Sequence, residues 1–242
     1  YNTASGLMAL YNNTTGNYNT AIGGRALDKN STGDYNTAIG GEALSNNTTA
    51  TGNTASGYRA LYNNTEGAGN TANGYQALSE NITGEYNTAV GQSALKNNLA
   101  GSNTALGHGA MLESTDGEWN TALGRSALRL NTVGDSNTAA GSRVLQNNTE
   151  GDFNTGVGDG ALRAVQTGSE NTAIGYGADV ASESLSNATA IGANAIVDAP
   201  NKIRLGDARI NSVETAGRLT TGQVTYPIMD GADGQVLATD GA

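Results

Sequence analysis

The chain carries a single histidine, His108, in the stretch GHGAM. With no second histidine and no cysteine, it cannot build a common zinc site. It fills a slot held elsewhere by Tyr58 or Arg125, which makes it a solvent-facing substitution rather than a catalytic base. The carboxylates Asp34, Glu85, Glu118, Asp135 and Asp152 recur at one register, an arrangement that could line up cations. That series breaks at Thr51, Ala68 and Gly101, and the GGxGxD calcium pattern is missing, so ordinary solvation is the better reading. The string GVGDGAL, 156–162, lacks the strand–helix context of a phosphate loop. Triplets such as Asn12-Asn13-Thr14 and Asn81-Ile82-Thr83 match glycosylation acceptors, but turn-forming asparagine explains them without sugar.

Aromatic rings are the remaining side chains suited to a ligand. Tyr18, Tyr35, Tyr86, Trp119 and Phe153 fall at one register, and Tyr58, Tyr75 and Tyr176 at another. The second set enters where the first is lost: Gly52 and Gly69 precede Tyr58 and Tyr75, and Glu170 precedes Tyr176. Compensated packing is the first reading of this exchange. Exposed aromatic spots for a sugar-like ligand, formed by these eight residues, are the second. No catalytic, cofactor-binding or metal-binding residue is assigned, and no cofactor is expected.

These registers come from a repeat. The Asn of an Asn-Thr pair stands at 2, 19, 36, 53, 70, 87, 103, 120, 137, 154 and 171; every step is 17 residues except 87 to 103, which is 16. A twelfth copy follows as Ala188-Thr189-Ala190-Ile191-Gly192. Four places after the Asn position stands a glycine without exception, from Gly6 to Gly192. Two places after it stands an alanine, with Gly156 the exception. Most copies continue with Ala-Leu and close on an Asn-rich segment and another glycine.

Each copy reads as one coil of a parallel β-solenoid. Asn-Thr-Ala-Ile is a short strand, the glycine ends it where the backbone bends or takes positive φ, and Ala-Leu begins a second short strand. Seventeen residues are too few for a helical hairpin repeat. Twelve coils stacked at about 4.8 Å form a rod of roughly 55–60 Å. The 35 glycines and the 14% of charged residues would otherwise suit a disordered chain; periodicity argues against that.

Alternation along the first strand puts Asn, Ala and Gly on one face. Thr, the residue before Asn and the residue before Gly share the other. The invariant small residues suit a tight interior. The last row runs Ile22, Ile39, Ser56, Asn73, Val90, Leu106, Leu123, Ala140, Val157, Ile174, Ile191 and includes an asparagine, which a dry interior would resist. That row therefore faces outward, and an exposed apolar stripe along a rod calls for a cover. Another copy of the chain is the simplest one.

The repeats NTAIGGRAL, NTAVGQSAL and NATAIGANA resemble those in the heads of trimeric autotransporter adhesins, and similar ones in tail-fibre-like proteins of phages and of bacterial contractile injection systems. The resemblance covers about residues 1–192 and implies an all-β, left-handed parallel β-roll that assembles as a homotrimer. The family's repeat is usually shorter than seventeen residues, and Thr here replaces its common Val or Ser. The segment 193–222, with NKIRLGD, looks like the neck that follows such heads. Residues 223–242 read as a linker or the start of a further domain. The start at Tyr1, already in register, suggests a processed product or a fragment.

The formal net charge of −10 offers no basic stripe for nucleic acid. No apolar run approaches a membrane span, so no direct membrane insertion is expected in this segment. The leading expectation is a non-enzymatic, extracellular fibre segment on a cell surface, a virion or an injection-system tail. Its partners would be two copies of itself and a cell-surface glycan or protein receptor. An ice-binding solenoid is the first alternative, from the Thr3, Thr20, Thr37 row, although flat ice faces resemble two parallel Thr rows. A polysaccharide-degrading enzyme of the tailspike kind is the second; its site needs clustered acids in a groove, which coils so uniform do not build.

Overall fold

The computed structural model describes residues 1–210 and Ser212. It is all-β: a parallel solenoid of about twelve turns in which every coil lays the same three-residue strand on the one before. Thr3–Ser5 pairs with Thr20–Ile22, Thr20–Ile22 with Thr37–Ile39, and so on to Ala188–Ile191, always in parallel and always with equivalent residues opposite one another. The sheet has one further strand, Lys202–Leu205, which sets Ile203 beside Thr189 and Leu205 beside Ile191. The chain therefore keeps coiling past Gly192, with a last step of 14 residues from Ala188 to Lys202. Of the neck expected over 193–222, residues 211 and 213–222 lie outside the described residues, as does the whole of 223–242.

The strand faces fall as the alternation requires. In Thr20–Ile22 and most of its counterparts the central Ala is buried, the Thr half-buried and the third residue exposed. The repeat glycine then takes φ between 112° and 142°. Its own coil needs that angle, and the next coil needs the missing side chain: a Cβ on Gly57 would lie 2.6 Å from the Gly74 carbonyl oxygen.

Ala-Leu is a turn in the first ten coils, not the second strand expected. Leu27, Leu44, Leu61 and their counterparts hold φ of 49° to 53°, a region an L-residue enters at a cost of about 1–2 kcal/mol. What holds them there is burial plus a hydrogen bond. Each leucine side chain is sealed in the core, where full burial contributes about 1.5–3 kcal/mol. Each leucine N–H donates to the carbonyl of the residue before the next coil's leucine or its counterpart, as Leu27 does to Ala43 at 3.0 Å. Only the last two coils form the second strand, where Asp179–Val180 pairs with Ile196–Val197.

The core is partly polar. The repeat asparagines from Asn19 to Asn171 are buried and form a continuous ladder. Each Oδ1 accepts the N–H of the next coil's asparagine, as Asn19 does from Asn36 at 2.9 Å, while each Nδ2 donates to a turn carbonyl, as Asn36 does to Ala50 at 2.8 Å. Every polar atom of the side chain is thereby matched, the condition for burying an amide without a penalty. A second ladder runs through Asn13, Asn30, Asn47, Asn64 and Asn81, with each Nδ2 donating to the preceding Oδ1 at 2.7–3.2 Å. These closing asparagines, read from sequence as turn formers, are also interior braces.

Candidate functional site

What a partner meets is the outer surface, organised into rows that run from coil to coil. The first row is the residue before the repeat Asn. Its backbone sits at φ between 51° and 70° throughout, which is why glycine at 52 and 69 substitutes without strain. Tyr1, Tyr18 and Tyr35 stack there with centroids 5.4 and 5.1 Å apart, the second pair only 2° from parallel. Their faces are turned to one another, so edges and hydroxyls meet solvent. Tyr86 leans back over Gly69, where a Cβ would lie 2.9 Å from the ring, whereas nothing comes within 4 Å of a Cβ at Gly52. Trp119 and Phe153 follow in the same row, both exposed and separated by Ser136.

Tyr58 and Tyr75 occupy the row just past the repeat glycine and stack at 5.6 Å. Arg59 reaches over Tyr58 at 5.2 Å and Tyr62 at 5.1 Å, and its guanidinium donates to Glu42 at 2.6 Å. That ion pair raises the Arg59 pKa further above its ordinary value. Tyr176, in the same row, is exposed beside a depression of about 200 Å³ that includes Asp179 and Asn194. The eight aromatics expected to meet a ligand therefore lie in two rows rather than in one cluster. His108 sits in the Tyr58 row and is exposed.

The acid row has a use that neither solvation nor a cation ladder describes. Asp34 accepts the N–H of Asn17 at 2.6 Å, Asp135 that of Glu118 at 2.7 Å and Asp152 that of Asp135 at 2.8 Å. Ser169 and Ser186 continue the pattern with their hydroxyls. These short side chains tie each corner to the coil before it. Glu85 and Glu118 are one methylene longer and make no such bond among the described residues.

Between the strand edges runs the apolar row. Ile22, Ile39, Val90, Leu106, Leu123, Val157, Ile174 and Ile191 are each 37–44% exposed, and Leu205 extends the row at 47%. The parallel Thr row is single, bounded by this stripe and by the aromatics, and does not make the paired rows of an ice face. No protein-family model matches the chain, and no curated protein matches it in sequence. No helix among the described residues is long and apolar enough to cross a membrane.

Proposed function

We propose that the chain is a non-enzymatic fibre segment: a stiff rod, extracellular, belonging to a cell-surface adhesin or to the tail fibre of a phage or injection system. In this reading three copies pack their apolar rows along a common axis as a left-handed roll, and the segment after the last full coil continues as a neck. One observation carries it. The row stays in register from Ile22 to Leu205 and its nine large apolar members are each about two-fifths exposed, interrupted only at Ser56, Asn73 and Ala140, beside the threonine row and the aromatics. Covering what remains exposed would contribute about 1 kcal/mol per side chain, and the rigid coil aligns all of them at once.

Sedimentation equilibrium tests it. The expected mass is three times 24.4 kDa. Ile39→Lys combined with Ile174→Lys should give a folded monomer, because both positions are outward and leave the core untouched. A wild-type chain that stays monomeric at micromolar concentration overturns the trimer.

A further inference from the structure

Among the Asn-Thr coils from Asn2 to Asn171, one departs from the 17-residue length, the 16-residue coil from Asn87 to Asn103. The missing residue is lost from the corner. A normal coil places two residues between the second-ladder asparagine and the carbonyl that its own Nδ2 reaches, as from Asn81 to Gly84. Here only Leu99 separates Asn98 from Ala100.

The shortened corner has two structural consequences. The second ladder breaks: the Asn98 Nδ2 turns to Ala100 at 2.7 Å, and the buried Asn81 Oδ1 is left without a donor. The corner ladder breaks too. In the full-length coils from Asn13 to Gly168, two or three consecutive N–H groups donate to one carbonyl of the next coil, as Thr65, Glu66 and Gly67 do to Ile82. The N–H groups of Ile82, Thr83 and Gly84 have no such acceptor among the described residues. Where the corner has drawn back, a depression of about 310 Å³ opens, at the lower end of ligand-sized cavities. Thr83 and Gly84 line it, together with Glu85, Tyr86, Ser102 and Glu118.

We propose that this depression is a binding subsite for one neutral sugar residue of a surface glycan. Its inventory decides the ligand class. An unused, exposed backbone donor comes from Thr83, and acceptors from the carboxylates of Glu85 and Glu118, two coils apart with Gly101 between them. Tyr86 supplies a ring face: one side rests on Gly69, so the other looks towards the small Ser102. An anion meets two carboxylates on a chain of formal net charge −10. A cation leaves the N–H donor unmatched. A neutral pyranose both donates and accepts through its hydroxyls and offers C–H groups to an aromatic face, so it matches all three features. The stacked Tyr1, Tyr18 and Tyr35 offer no comparable slot, since they lie on full-length coils whose corner N–H groups donate to the next coil. This inference rests on the attachment reading but not on the trimer.

Saturation-transfer NMR with methyl pyranosides tests it, using neutral hexoses, N-acetylhexosamines and the methyl glycoside of sialic acid as probes. At least one neutral glycoside should show contact with the wild-type protein, and the sialic acid glycoside should not. Tyr86→Gly should weaken that contact by about tenfold or more. The variant copies Gly52 and Gly69 at the same backbone position, so it should fold. Insertion of one threonine between Leu99 and Ala100 restores a full-length corner and should abolish binding. Phe153→Gly, elsewhere in the same row, should change nothing. Sedimentation on the same samples keeps the two readings apart: a monomer that binds sugar removes the trimer and leaves the subsite standing. Absence of any neutral contact overturns the subsite, as do equal contact by the sialic acid glycoside or binding that survives both Tyr86→Gly and the insertion.

Discussion

The first ten coils and the last two fill the same core by different backbone routes. In the first ten, the residue four places after the repeat glycine is leucine, or Met111, held at positive φ with its side chain inside and the next residue turned outward or towards the corner. In the last two, the equivalent residues are Asp179 and Ile196, which point away from the core, and Val180 and Val197 go inside instead. The inward position has moved one residue along the chain. Isoleucine explains the change at Ile196, because a β-branched side chain at positive φ is a true outlier, and at Asp179 a carboxylate cannot fill the sealed apolar place of the leucine. Once the backbone is extended, the following valine falls on the inner face by simple alternation. One core cross-section thus accepts a tight turn or a strand, and the residue at this one position selects between them.

The repeat glycine is common to both regions, and a Cβ on Gly175 would meet the Gly192 carbonyl at 2.7 Å much as the earlier glycines meet theirs, but at Gly192, under the last strand, the surroundings change. At Gly57 a Cβ would sit 2.6 Å from the carbonyl oxygen and 2.8 Å from the carbonyl carbon of Gly74. At Gly192 the nearest atoms are the Cα and N of Gly206, at 3.1 and 3.2 Å. Backbone cannot rotate out of the way as a side chain can. Gly57→Ala should therefore cost more than about 3 kcal/mol and part the stack there, while Gly192→Ala should cost about 1–2 kcal/mol, mostly from its φ. Hydrogen exchange read coil by coil, alongside melting temperature, checks this. Equal losses at the two sites would mean the coils relax along the rod and the close approach is not what excludes alanine.

The turn-or-strand choice itself can be tested by exchange. Leu61→Ile puts a β-branched residue at φ 52° and should cost about 2–3 kcal/mol despite unchanged composition. Ile196→Leu, at an exposed and extended position, should stay within about 0.5 kcal/mol of wild type. Thermal unfolding of the two variants measures both. If Leu61→Ile is as mild as its counterpart, the leucine conformation is a consequence of the stack rather than a requirement of the residue.

The coil, its period and its faces were legible in the sequence because one fixed glycine and one strict alternation repeat in every copy. The second strand was misread for a physical reason: Ala-Leu carries no mark of positive φ, since leucine adopts it only when the neighbouring coils hold it there. Glycine two places after the repeat glycine was the available hint, as Gly109 and Gly160 mark a position of the same turn that takes positive φ in each of the first ten coils. The second asparagine ladder was hidden for a similar reason, since asparagine near glycine reads first as turn chemistry. The candidate sugar subsite was half visible. The 16-residue step shows in the spacing, and Glu85, Tyr86 and Glu118 stand out by type and register, but only the structure shows which N–H groups the deletion leaves without acceptors.

The smallest effect separates the two regions by charge. Asp179 replaces the buried leucine of earlier coils, and partial burial raises its carboxyl pKa above the ordinary aspartate value despite opposing hydrogen bonds. The carboxylate accepts from the Val180 N–H at 2.8 Å and from the Ala164 N–H at 3.1 Å, so it joins the last turn coils to the first strand coil. A raised pKa means that folding favours the protonated acid. Its stabilising share is fully present below the unfolded pKa and is lost as pH rises through the folded one, leaving ionised Asp179 a net cost at neutral pH. Asp179→Asn keeps an oxygen acceptor and removes the ionisation. The variant should melt slightly above wild type at pH 7, and the gap should close towards pH 3, where wild-type Asp179 is protonated. A gap that instead widens on acidification would show that the two hydrogen bonds, not burial, control this carboxyl, and that the seam between turn coils and strand coils is held by charge rather than strained by it.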